Sequence, residues 1–474
     1  MEIRDLEPKT VWNNFTKLNS VPRPSKKEER VIAFAKNFGE NLGLPTYVDS
    51  VGNVIISKPA TLGMENRKMV VLQSHLDMVH QKNSDTEFDF DTQGIEMLIE
   101  GDWVTANGTT LGADNGMGVA AIMSLLESTD IAHPALEALF TIDEETGMTG
   151  AFGLEPEILK ADILLNLDTE DDDEFSIGCA GGIDTNTKYS YSEVAASGIA
   201  YAIAVKGLKG GHSGMDIHLQ RGNANKIMNR LLWNCEDLEL RIAEINGGSL
   251  RNAIPRESFA IITVKDDSYL KIFSKRVEEI KGEFSVSDGG LTIEITPVDL
   301  PKKVMSKSDV SKLTNAIYAV HNGVYRMSMT IEGLVETSSS LARVVVKDGE
   351  FSTQSLQRSS LETAKMDIAH TVGAIFQLMG CDVEHTGSYP GWEPNSNSEI
   401  LELMKGKYKA LYNEDPKVMA CHAGLECGIL GEIYPNWDMI SFGPTIRNPH
   451  SPDEKVKIDT VAKFWTLLKD VLKD

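Results

Sequence analysis

Short, branched, apolar runs punctuate the first 185 or so residues, and they constrain the fold more than any other feature. VIIS (54–57), MVVLQS (69–74), LEALFTI (136–142) and DILLNL (162–167) are nearly continuous apolar stretches. A strand buried on both faces reads this way, because both of its side-chain rows must be apolar. Between them, GMGVAAIMSLLES (116–128) has small and apolar residues at helical spacing and suits a crossover helix. Strand–helix alternation of this kind predicts an α/β domain on a largely parallel sheet.

The texture changes further on. YAIAVKGL (201–208), SFAIITVK (258–265) and LTIEITPV (291–298) alternate apolar with polar, as a sheet covered on one face does. HLQRGNANKIMNRLLWNC (218–235) and SLETAKMDIAHTVGAIFQLMG (360–380) read as amphipathic helices packed on it. This predicts an α+β unit inserted into the first domain. After Pro390, Gly391 and Pro394 the α/β pattern resumes, ending in the strand-like WDMISFG (437–443) and a terminal helix. The expected organisation is a catalytic domain from 1–187 and 393–474, with an inserted domain over 188–392. A chain of 474 residues is more than one hydrophobic core usually serves, which agrees with that division.

A net charge of −24 argues against nucleic-acid and anionic-membrane partners, both of which need Lys/Arg patches. Five cysteines with no CxxC spacing read as buried thiols in a reducing compartment, not as a disulfide framework or zinc ribbon. MEIRDLEPKTVWNNF has neither the basic nor the apolar region of a signal peptide, and no apolar run reaches membrane-span length. A cytoplasmic protein is expected.

Chemistry-bearing residues gather at strand ends. MVVLQS runs into His75-Leu76-Asp77, LEALFTI into Asp143-Glu144-Glu145, and DILLNL into Asp168. The last strand leads to a loop carrying His450, and TTLGADNGMG (109–118) puts Asp114 in a glycine-rich turn before a helix. Ligands of open α/β sheets lie beyond the carboxyl ends of the strands. Two histidines and several carboxylates are therefore expected along one edge. Imidazole plus carboxylate suits Zn²⁺, Co²⁺ or Mn²⁺. Five such residues exceed the needs of one open catalytic ion and suit two ions sharing a carboxylate. Taken singly, each could instead be a polar cap on a strand end.

SHLDMV, GADNG, TIDEETG, NLDTE, GGHSG and GPTIRNPHSPDE follow one another in the order found in the di-zinc aminoacylase and dipeptidase family, which the chain resembles over essentially its whole length. YPGWEP (389–394), CHAGLECG (421–428) and SFGPTIRNPHSPDEKVKIDT (441–460) narrow the resemblance to bacterial aminoacyl-histidine dipeptidases. It implies a cytosolic hydrolase of Xaa-His and other dipeptides, carnosine-like ones included. Two divalent ions are implied, zinc first and cobalt or manganese as alternatives. His75 and Asp168 would hold one ion and Glu145 and His450 the other, with Asp114 shared. Asp77 would orient His75. Glu144 would be the general base, taking a proton from the attacking water and delivering it to the leaving amine. A cis peptide at Asp114-Asn115 is also implied.

In the inserted domain, expected to act as a lid and to form a homodimer, the resemblance makes His212 of KGGHSG an oxyanion donor, acting in its own subunit or across the dimer. Asn252 of RNAIP is a second polar contact. A lid arginine should bind the substrate carboxylate as a bidentate fork; Arg358 of SLQRSS is chosen over Arg343. Glu426 and His422 of CHAGLECG are expected near the substrate, toward its amino end.

Other features are discounted. DFDTQGIEMLIE (89–100) mimics a calcium loop, with Asp89, Asp91, Gly94 and Glu100 correctly spaced, but Gln93 and Glu96 break the pattern and flanking helices are absent. An exposed loop leading into a hairpin is expected there. His80 reads as a surface or supporting residue, and TEDDDE (169–174) as a solvated loop. An N-acyl amino acid deacylase or tripeptidase on the same scaffold is the alternative enzyme. A non-catalytic metal- or calcium-binding protein is the more distant one.

Overall fold

The computed structural model describes residues 2–474, without the side chain of Glu236. The chain divides into two compact units: 1–178, 394–420 and 425–474 form the first, 179–393 and 421–424 the second.

The first unit is built on an eight-stranded sheet. Its order is Thr46–Val48, Val54–Lys58, Leu136–Thr141, Val70–His75, Ile163–Asn166, Asp438–Ser441, Glu174–Cys179 and Lys417–Cys421. The four strands in the middle, from Leu136–Thr141 to Asp438–Ser441, run parallel. Val54–Lys58 joins Leu136–Thr141 antiparallel and Thr46–Val48 pairs antiparallel with it in turn, while Glu174–Cys179 meets Asp438–Ser441 antiparallel on the other side. The parallel character expected from the apolar runs is thus concentrated in the centre. Every residue of Val70–His75 and Leu136–Thr141 is buried, as strands covered on both faces require. Helix Ala113–Glu127 packs on Val70–His75 and against helix Lys9–Asn19. A four-stranded sheet, Ile446–Arg447, Lys455–Lys457, Trp103–Ala106 and Met97–Glu100, carries the chain on either side of His450.

The calcium-like segment leads into the hairpin Met97–Glu100/Trp103–Ala106. Asp91 pairs with Lys27 at 2.7 Å, and Asp89 accepts from Asp91 N and Thr92 Oγ1. His80 is exposed, with its ring edge-on to Phe90. The acidic run 169–174 departs from the solvated loop expected of it. Lys463 lies 2.6 Å from Asp172, Lys417 3.0 Å from Asp173, and Arg447 pairs with Asp171.

The second unit holds a nine-stranded antiparallel sheet. Its main path is Thr292–Pro297, Ile199–Lys206, Ser258–Val264, Arg241–Gly247, Val335–Lys347, Glu350–Ser359, Gly181–Ser190 and Asp382–Tyr389, with Gly323–Met327 also on Val335–Lys347. Ile203, Val205, Ile262 and Val344 pack with Leu231, Leu313 and Phe376 of the helices in one core. Two expectations shift here. Gly181–Ser190 pairs along its whole length with Glu350–Ser359, so the unit begins at 179 and not at 188. The helix read over 218–235 is Ala224–Leu232. Asn223 caps it through Asn225 N and Lys226 N, and Gln220 turns left-handed before it.

Candidate metal centre

Three adjacent parallel strands of the first unit end at one edge, and each delivers part of the cluster. Val70–His75 ends on His75 itself. Leu136–Thr141 leads into Asp143, whose left-handed backbone (φ 54°) breaks the strand before the short helix Glu144–Gly147. Ile163–Asn166 leads to Asp168. Asp114 enters from the turn at Gly112, with non-helical dihedrals and a cis peptide to Asn115. His450 sits at φ 60° in the loop before Lys455–Lys457.

Asp114 stands between the two imidazoles. Its Oδ1 is 3.3 Å from His75 Nε2, and its Oδ2 is 3.3 Å from His450 Nε2. Asp168 Oδ1 lies 3.8 Å from His75 Nε2, and Glu145 Oε2 2.9 Å from His450 Nε2. His75, Asp114 and Glu145 each offer a ligand atom within 4.8 Å of the others. All five residues read as ligands in the sequence thus converge, in two groups that share one carboxylate.

Charge in the cluster is lopsided. Burial disfavours protonated His75, but Asp168, Asp114 and Asp77 together raise it well above the usual imidazole range. Hydrogen bonds with Asp114 and Glu145 push His450 up to about 11. Burial, joined by like charges that include Glu426 and Glu145, drives Glu144 and Asp168 well above the carboxylate range. Glu145 Oε1 is buried without a hydrogen-bond partner among the described residues. Imidazoles, surplus carboxylates and an unpartnered buried oxygen fit divalent cations, which supply charge and accept lone pairs.

Asp77, fully buried, does more than its spacing suggests. His75 Nδ1 donates toward the Asp77 backbone oxygen at 3.1 Å and lies 3.3 Å from Oδ1, which leaves Nε2 facing Asp114 and Asp168. The same carboxylate accepts from Ser25 Oγ at 2.8 Å, Glu144 N at 3.1 Å and Glu145 N at 3.3 Å. It therefore fixes the glutamate doublet as well as the histidine.

Glu426 belongs to the first unit. It is buried, accepts from Gln73 Nε2 at 2.6 Å and Thr141 Oγ1 at 2.7 Å, and keeps Oε1 without a hydrogen-bond partner among the described residues. Burial pushes it up to about 7. Two residues given no role from the sequence also serve this edge. Arg23 is buried and donates to Leu76 O, Asp77 O and Gly112 O. Glu454 is buried against the turn at Asp114. Glu454 ends the quoted motif NPHSPDE, a signal that could have found it; Arg23 has none.

The second unit holds its own polar cluster. His212 ends the two-residue strand Gly211–His212, paired with Ala253–Ile254, which sets Asn252 beside it; Asn252 O accepts from Ser213 N at 2.8 Å. The Asn252 side chain is exposed. His212 Nδ1 accepts from Gly214 N at 3.2 Å and Met215 N at 3.0 Å, so the neutral ring carries its proton on Nε2. Burial and then Arg358 lower His212 to about 4. Arg358 is buried, with Nη1 donating to Tyr389 Oη at 2.7 Å and Nε without a hydrogen-bond partner among the described residues. His422 Nε2 lies 2.8 Å from Ser338 Oγ, and burial followed by Arg358 holds it near 3. Gly214 fits between these groups: a Cβ there would stand 2.0 Å from His422 O and 3.1 Å from Arg358 Nε.

Residues 71–474 match the model of peptidase family M20/M25/M40. A cytosol non-specific dipeptidase of Escherichia coli is 43% identical, over 100% of this chain and 99% of its own. The crystal structure of an aminoacylhistidine dipeptidase from Vibrio alginolyticus superposes with a TM-score of 0.94 at 44% identity, covering 100% of this chain and 98% of that one. Aminopeptidase PepT of Bacillus cereus, at 16% identity and a TM-score of 0.57 over 99% of this chain and 98% of its own, shares the fold.

Proposed function

The chain belongs to peptidase family M20/M25/M40 and is a metal-dependent dipeptidase, and we propose that its reaction centre uses two divalent ions, zinc by preference, with Asp114 shared between them. The observation that carries this reading is that the two oxygens of one carboxylate approach different imidazoles at the same 3.3 Å. His75 and Asp168 complete one ligand set, Glu145 and His450 the other. When bound, divalent ions would supply Lewis acidity there, polarising the scissile carbonyl and lowering the pKa of water toward neutrality.

This chain's own groups supply the rest. Glu144 takes the proton of the attacking water and passes it to the leaving nitrogen as the C–N bond breaks. Burial raises its proton affinity, which suits a group that must take one up. Asp77 keeps the His75 proton on Nδ1. His212 donates from Nε2 to the developing oxyanion, because two backbone N–H groups already occupy Nδ1. Arg358 pairs with the substrate carboxylate, Asn252 adds a polar contact, and Glu426 faces the substrate's amino end. The second unit acts as the lid and as the dimer contact, and the enzyme works in the cytoplasm on small peptides.

Metal analysis of the purified protein, run beside a panel of Xaa-His dipeptides, tripeptides and N-acetyl amino acids, tests this. Two zinc ions per chain and preference for dipeptides are expected. Full activity with one ion, or faster turnover of N-acetyl amino acids, would overturn it. Light scattering should give twice the mass of one chain.

A further inference from the structure

We propose that Glu454, working with Arg23, is a positioning residue that keeps the ligand-bearing segments of the centre in register. Among the described residues neither side chain hydrogen-bonds to a side-chain oxygen or ring nitrogen of the five ligand residues, yet between them they hold three of those segments. Glu454 Oε2 accepts from Leu111 N at 2.8 Å and Gly112 N at 2.9 Å, and Oε1 from Ala113 N at 2.7 Å and Asp114 N at 3.2 Å. These groups open helix Ala113–Glu127, where backbone donors have no partner within the helix. A residue just before a helix usually satisfies some of them, but Gly112 has no side chain to do so. The cap comes instead from about 340 residues along the chain. Glu454 lies four residues after His450, so one carboxylate ties the His450 loop to the backbone of Asp114.

Arg23 grips the same turn from its other side. Its Nη2 donates to Gly112 O at 2.5 Å and to Asn19 Oδ1 at 3.1 Å, while Nη1 donates to Leu76 O at 3.1 Å and Asp77 O at 3.0 Å. Gly112 is required there: its φ is 69°, and a Cβ would lie 2.4 Å from Arg23 Nη2. The peptide at Gly112 thus gives its N–H to Glu454 and its carbonyl to Arg23. Segment 75–77 is joined to the Asp114 turn by Arg23, and the turn to the His450 loop by Glu454. Asp114 presents one oxygen to each imidazole, so a small rotation of its backbone improves one approach and spoils the other. Loosening either grip should therefore weaken one ion far more than its neighbour.

The inference rests on the reading of Asp114 as a shared ligand, and the experiment separates the two. Zinc is titrated into the full-length protein against a chelator, with steady-state kinetics on an Xaa-His dipeptide. A wild-type protein that takes only one ion refutes the shared ligand, whatever the variants do. If it takes two, Glu454→Gln tests the positioning role, because an amide turns a donor toward donors. Affinity for the weaker ion should fall about ten- to a hundredfold, the usual cost of disturbing groups behind a metal ligand. Turnover should fall at limiting zinc and recover with excess zinc, with KM within about twofold of wild type. Glu137→Gln is the control: Glu137 is also buried and accepts from Lys160 N and Ala161 N, but it does so at the start of its strand, at the opposite end from the ligand residues. It should lower the melting temperature and leave zinc affinity alone. Arg23→Lys should shift zinc affinity in the same direction as Glu454→Gln, and it carries the test if that protein does not fold. Wild-type affinity for both ions in either folded variant overturns the proposal, as does an equal loss in Glu137→Gln.

Discussion

Removing the Asp77 carboxylate should damage the glutamate doublet more than the histidine it adjoins. In Asp77→Ala, His75 Nδ1 still has the backbone oxygen of residue 77 at 3.1 Å, and Ser25 Oγ still has Met78 O at 3.2 Å. Glu144 N and Glu145 N, at 3.1 and 3.3 Å from the lost oxygens, are left without this acceptor. A buried donor left unsatisfied costs about 1–3 kcal/mol, so the metal-free protein should lose roughly 2–6 kcal/mol of stability. Asp77→Asn should cost about half of that, near 1–3 kcal/mol. With its amide on the Ser25 side, the hydroxyl turns to accept, and only Glu145 N loses its partner. Zinc affinity and turnover should each fall about ten- to a hundredfold in Asp77→Ala. The assays are chemical unfolding without metal, zinc titration, and double-mutant cycles against Glu145→Ala and His75→Ala. The loss should be more strongly non-additive with Glu145→Ala than with His75→Ala, because His75 keeps its 3.1 Å contact to the residue 77 backbone oxygen when the carboxylate is removed. The opposite pattern, or wild-type stability in Asp77→Ala, would refute the reasoning.

The neighbouring glutamates should separate cleanly. Glu144→Gln is expected to keep both ions and lose about 10²–10⁴-fold in turnover, whereas Glu145→Gln should also lose one ion by metal analysis. Arg358→Ala should lower kcat/KM for dipeptides by about 10- to 150-fold, the worth of a charged hydrogen bond, and abolish discrimination against dipeptide amides. His212 and His422 sit near 4 and 3, below the ordinary imidazole value near 6.5. The unfolded chain therefore binds more protons than the folded one between those values. Their contribution to stability is full above pH 6.5 and drains away as pH falls toward 3. Melting curves of His422→Asn should show a shallower acid limb than wild type, and an unchanged limb would count against this assignment.

Much of the centre was legible from local pattern. Apolar runs buried on both faces forced central strands, and the parallel arrangement brought their carboxyl ends to one edge. His75, Glu144, Glu145 and Asp168, each at or just past the end of such a run, therefore had to be neighbours. Asp114 and His450 followed from motif order. The extent of the second unit was harder to see. Gly181–Ser190 resembles its neighbours in composition, and only its pairing with Glu350–Ser359 assigns it. The acidic run 169–174 looked solvated because Arg447 and Lys463, which pin it, come 276 and 291 residues after the carboxylates they meet.

The sequence alone determined which residue types could meet at the strand ends, because periodicity and turn chemistry act over a few residues. Tertiary structure decided how they are held. Asp77 reaching the doublet, Arg23 gripping Gly112 and Glu454 capping the Asp114 turn are hydrogen bonds that span from 67 to 343 positions. No local preference encodes such a bond. Each forms only because the packed sheet and helices bring a buried donor to a buried acceptor that would otherwise go unpaired.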